Sequence, residues 1–138
     1  MAISSVEYQG NLRTSAQHLK SKEVIITDAP TDNEGKGEAF SPTDLLSTSL
    51  ASCMITLMGI TANKNGFSLG RVSASVSKGM LSSPRRVGRI GVALEIGGTY
   101  SEQQMRQLEY AALHCPVANS LSQEIEQDVS FEYPDLKS

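Results

Sequence analysis

The chain has no tryptophan, and aromatic residues make up only 5% of its 138 residues. Neither Trp nor Tyr flanks its one long uncharged stretch, so that stretch lacks the aromatic belt of a membrane span. Basic clusters are missing too. Twelve Lys and Arg stand against fifteen Asp and Glu, and Arg85-Arg86 is an isolated pair. With a net charge of -3 and a pI near 5.3, the chain cannot neutralise a run of phosphates, which excludes nucleic acid as a partner. The segment MAISSVEYQG carries no basic residues followed by an apolar stretch, so a cytoplasmic location is expected. Cysteine is scarce: only Cys53 and Cys115 occur. In that compartment both are expected to be reduced at rest, and free to form a transient disulfide in a redox cycle.

What is present centres on Ser41 to Gly66, SPTDLLSTSLASCMITLMGITANKNG. Ser41 reads as an N-cap, Pro42 suits the first turn, and Asp44 stands three residues after the serine. Lys64 and Asn65 lead into Gly66 as a left-handed C-terminal cap. No charged side chain lies between Leu45 and Asn63. A helix with no charged face is expected to be enclosed on all sides, by its own protein or by a partner. The run has nearly the length of a membrane span, but six Ser and Thr and Gly59 interrupt it. It reads as a central buried helix with Cys53 in its middle.

One domain, 1–138, is expected from the length. Before the helix, Val6 and Tyr8 alternate with polar residues, Gly10-Asn11 allows a turn or bulge, and EVIIT (23–27) is rich in β-branched residues. Residues 1–30 therefore read as two strands, with Arg13 and His18 between them as surface residues. The loop TDNEGKGEAF (31–40) lacks the spacing of a phosphate-binding loop and suits one wall of a pocket. After the helix, Val72, Ala74 and Val76, then Ile90, Val92, Leu94 and Ile96, alternate with polar or small residues as a hairpin. Ser101 and Gln104 form a capping box for a second helix, broken at Cys115-Pro116. Beyond it a short helix would bury Leu121 and Ile125. Val129, Phe131 and Tyr133 make the last strand. The order predicts an α+β fold, helices on one side of an antiparallel sheet.

The two thiols occupy different settings. Cys53 sits mid-helix, while Cys115 starts a helix, where dipole and amides lower a thiol pKa. Local physics thus ranks Cys115 as the more acidic, against the alternative that both simply pack. A metal site from His18, His114, Cys53 and Cys115 has no close-spaced ligand pair beyond His114-Cys115, and adjacent residues rarely share an ion. His114 is better placed as a helix C-terminal residue.

SPTDLLSTSLASC, the apolar helix ending in Asn-Gly, and His-Cys-Pro-Val some sixty residues later resemble the OsmC/Ohr family of osmotically induced and organic hydroperoxide resistance proteins. The resemblance covers most of the chain. It implies an intertwined homodimer with two interfacial active sites and a thiol peroxidase activity that needs no cofactor or metal. By similarity, Cys53 takes the peroxidatic place, Cys115 the resolving one, and Arg13 that of the activating arginine. It also implies a small hydroperoxide substrate and an external lipoyl-type dithiol as reductant. This chain departs from the dedicated peroxidases at Thr43, ten residues before Cys53, where they carry a glutamate. Glu38 and Asp44 are the stand-in carboxylates, and the chain resembles the broad OsmC-like branch more closely. The alternative expectation is a non-enzymatic dimer that holds a small apolar ligand in its interface pocket.

Overall fold

The amino-terminal sheet is built from hairpins. β1 (Ser4–Gly10) and β2 (Arg13–His18) join through Asn11 and Leu12, both at positive φ, 56° and 63°. That two-residue turn matches the right-handed strand twist. β3 (Val24–Asp28) adds to β2, giving an antiparallel sheet of order β1-β2-β3. Three strands therefore stand where two were expected, and Arg13 and His18 are the ends of the extra one. Its sequence, RTSAQH, has no apolar alternation; the strand forms because neighbours on both sides offer it a ladder.

In this computed structural model, which describes residues 1–136, the chain divides into two compact units, Met1–Leu46 and Ser47–Ser138. The boundary falls near the start of helix α1 (Pro42–Lys64). The capping box forms as the residues suggest: the Ser41 amide donates to Asp44 Oδ2 at 3.0 Å and the Asp44 amide to Ser41 Oγ at 3.0 Å. Gly66 closes the helix at a φ of 73°, a geometry that favours glycine.

The second unit holds the core. β4 (Val72–Leu81) and β5 (Arg86–Ile96) form the expected antiparallel hairpin. α2 (Glu102–Leu113) and α3 (Pro116–Ser120) follow, then β6 (Glu126–Glu132). β6 lies parallel to β5, with Val92 opposite Val129 and Leu94 opposite Phe131. The second sheet is thus mixed rather than wholly antiparallel. The helical α2–α3 segment supplies the long crossover that a parallel pair requires. α3 ends sooner than expected, so Leu121 and Ile125 pack on the core from beyond it.

Ile90, Val92, Leu94 and Ile96 of β5 are fully buried with Leu50, Met54 and Met58 of α1 and Leu108 and Ala112 of α2. α1 is long and apolar enough to cross a membrane by length and composition, yet this face belongs to the core. Its buried residues run at helical spacing along one side, while Leu46 and Ile60 stay open. One chain alone encloses a single face of α1, not the whole helix.

Tyr100 ties the ends of the β4–β5 hairpin together. Its hydroxyl accepts from the Gly70 amide at 2.8 Å and donates to the Gly97 carbonyl at 2.6 Å. A Cβ on Gly70 would stand 2.2 Å from that carbonyl oxygen, so the approach needs glycine. Tyr100→Phe leaves both backbone groups without this partner and is expected to lower unfolding stability by about 1–3 kcal/mol. Urea titration of the two forms measures it; equal midpoints and slopes would contradict the bridging role.

Candidate active site

α1 places Cys53 on the edge of its buried face, and the residue is half-buried. Cys115 sits at the junction of α2 and α3, because Pro116 ends helical continuity there and begins the next turn. It is the N-cap of α3, its Sγ accepting the Ala118 amide at 3.4 Å, and its side chain has no exposure. The fold brings the two thiols together: Cys53 packs against the core cluster that holds Cys115, near enough to influence the Cys115 thiol. No disulfide joins them.

The lowering of the Cys115 thiol expected from the helix dipole does not occur. Burial is the largest influence on Cys115 and pushes its thiol above the ordinary cysteine range, and Cys53 adds to the rise. The Ala118 amide pulls the other way but loses. A five-residue helix has little dipole to set against the cost of burying a charge. His114 lies where the sequence suggests, capping α2, with Nδ1 2.8 Å from the Tyr110 carbonyl and its ring stacked on Tyr110.

Arg13 lies in the first unit, paired with two carboxylates. Its Nε and Nη2 donate to the two oxygens of Asp28 at 2.7 and 2.8 Å, and Nη2 also reaches Glu38 Oε1 at 3.2 Å. Hydrogen bonding to Asp28 raises the arginine further above its ordinary value, and the same bond lowers the Asp28 carboxyl below its own. Both groups are charged at neutral pH. Asp44, the other stand-in carboxylate, serves the α1 cap. Thr43 Oγ1 lies 3.2 Å from Ser41 Oγ in the same cap. His18 is a strand end, 2.6 Å from Ser21 Oγ.

Asp28 follows EVIIT directly in the sequence, ahead of Ala29-Pro30, with nothing local to mark a role. The signal that exposes it is register. Once RTSAQH is a strand, Arg13 falls directly opposite Asp28, and opposite charges on facing residues attract.

The model of the OsmC-like protein family matches residues 35–130. The chain belongs to the OsmC/Ohr family. No curated protein matches it. Among solved structures, this OsmC-like chain is 48% identical to one from Psychrobacter arcticus 273-4, over 96% of each chain at a TM-score of 0.91. That protein's assignment to osmotic stress induction and detoxification response is provisional. An organic hydroperoxide resistance protein OsmC from Legionella pneumophila shares 20% identity over 96% of each chain, at a TM-score of 0.72. An OsmC-like protein from Mycoplasma pneumoniae shares 17% over 94% of each, at 0.79. The last two show a common fold, and the family resemblance drawn from the cysteine motifs is correct.

Proposed function

We propose that this OsmC-like protein is a thiol-dependent peroxidase that reduces organic hydroperoxides, and hydrogen peroxide more weakly. The observation that carries the reading is the meeting of Cys53 and Cys115, two unbridged thiols from distant parts of the chain. Burial separates their roles. A peroxide must reach the attacking sulfur, and Cys53 is the half-open one, whereas Cys115 is fully covered and held as a thiol.

The cycle has three steps. Cys53 thiolate, with Arg13 as its activating cation, attacks the distal peroxide oxygen. The O–O bond breaks, the alcohol leaves after taking a proton, and the sulfur, oxidised by two electrons, becomes a sulfenic acid. Cys115 then attacks that sulfur; the S–OH bond breaks, water departs with the Cys115 proton, and a disulfide forms. An external dithiol of lipoyl type attacks the open sulfur, Cys53, expels Cys115, and leaves as its own disulfide.

The working form in this reading is a homodimer. Its support is the uncharged side of α1 left open at Leu46 and Ile60, and the apolar Val6, Tyr8, Ile25 and Ile26 exposed on the first sheet. Cumene hydroperoxide should be consumed only when reduced lipoamide is supplied, by a species of twice the 14.8 kDa chain mass in light scattering. Purified protein that turns over no hydroperoxide yet retains an apolar ligand in native mass spectrometry would favour the non-enzymatic binding role instead.

A further inference from the structure

We infer that Asp28, not Glu38, is the positioning residue for Arg13, and that it fixes the guanidinium with Nη1 as its remaining donor. The inference rests on the peroxidase reading and supplies the carboxylate that Thr43 cannot.

Three observations lead there. Asp28 is 1% exposed, and a buried carboxylate is costly unless its oxygens are paired. Here they are: Oδ1 takes Arg13 Nε, and Oδ2 takes both Nη2 and the Glu38 amide at 3.0 Å. Glu38, by contrast, is 65% exposed and makes one longer contact, the kind of surface pair that holds little geometry. The backbone adds to the grip, since Arg13 and Asp28 face each other across the β2–β3 ladder.

The pattern of occupied donors matters as much as the partner. A guanidinium is planar and carries five hydrogens in a fixed fork. Asp28 takes the Nε–Nη2 edge, and Glu38 takes the other Nη2 hydrogen. Among the described residues, Nη1 has no hydrogen bond. Two hydrogens on that nitrogen remain to donate. Because Oδ2 also holds the amide of Glu38, the same carboxylate sets where the 31–40 loop lies against the arginine.

The test compares wild type with Asp28→Asn, Glu38→Gln and Arg13→Lys in the full chain, each checked for folding by circular dichroism. Two quantities are read: the rate of Cys53 oxidation by cumene hydroperoxide, and the 15N NMR signal of Arg13 Nε–H, visible only when that hydrogen is held. Asp28→Asn should slow oxidation about 10- to 100-fold, as expected when one charge-assisted hydrogen bond is misdirected, and lose the Nε signal. Glu38→Gln should stay within about twofold and keep it. Arg13→Lys keeps the charge without the fork and should slow oxidation as Asp28→Asn does, which covers the case of an unfolded Asp28 variant. Unchanged oxidation in Asp28→Asn or in Arg13→Lys, or equal slowing in Glu38→Gln, overturns the inference. Wild type that is not oxidised at all sinks the peroxidase reading instead. The Nε signal then decides: loss in Asp28→Asn alone upholds Asp28 as the holder, and loss in Glu38→Gln overturns it.

Discussion

Cys53→Ser is expected to take hydroperoxide turnover to the uncatalysed background, a loss of about 1,000-fold or more. A serine hydroxyl does not ionise near neutral pH and cannot be oxidised to a sulfenic acid. Nor can the second thiol stand in. Cys115 has no exposed surface, and its thiol is pushed up by burial, so neither peroxide access nor thiolate is available there. Removal of the one half-buried cysteine therefore removes the chemistry, not just its efficiency. Following cumene hydroperoxide consumption with reduced lipoamide present measures the effect. Retention of a tenth of wild-type turnover would mean that another group attacks the peroxide.

Cys115→Ser should have the opposite signature. The first oxidation proceeds, because Cys53 keeps its access, but the sulfenic acid has no neighbouring thiol to condense with. It persists, and further peroxide drives it to the sulfinic form, two oxygen atoms heavier. The fold should tolerate the change. The buried hydroxyl costs something, but serine is a better N-cap than cysteine and can take over the Ala118 amide. Loss of multiple turnover with normal thermal unfolding is the expected pair of results. A variant that cycles as fast as wild type and never gains oxygen would show that resolution happens elsewhere.

Much of the fold is legible in the residues because local signals and tertiary context agree. The two capping boxes, Ser41 with Asp44 and Ser101 with Gln104, form with both reciprocal bonds. The β5 alternation puts Ile90, Val92, Leu94 and Ile96 inside. What stayed hidden depends on partners distant in sequence. β2 has no hydrophobic period and is a strand only because β1 and β3 flank it. The parallel placement of β6 follows from the direction in which α2 and α3 return the chain, which no residue of β6 encodes.

The candidate site divides the same way. Both thiols stand out in sequence, and Pro116 after Cys115 announces the helix break. Their meeting does not show there, since it depends on α1 and the α2–α3 junction packing in one core. The expected acidity of Cys115 failed because a dipole argument sees the helix end but not the burial. Asp28 was invisible for a related reason: a carboxylate at a strand end gains a role only when the register sets an arginine across from it.

The central claim is that Cys53 and Cys115 exchange electrons through a bond between them. Intact mass and free-thiol count after one equivalent of cumene hydroperoxide address it directly. The account predicts that both thiols disappear, that the monomer mass falls by two hydrogens with no oxygen retained, and that reduced lipoamide restores both. Two thiols still titratable after peroxide, or oxygen held on Cys53 while Cys115 remains free in the wild-type chain, would contradict it.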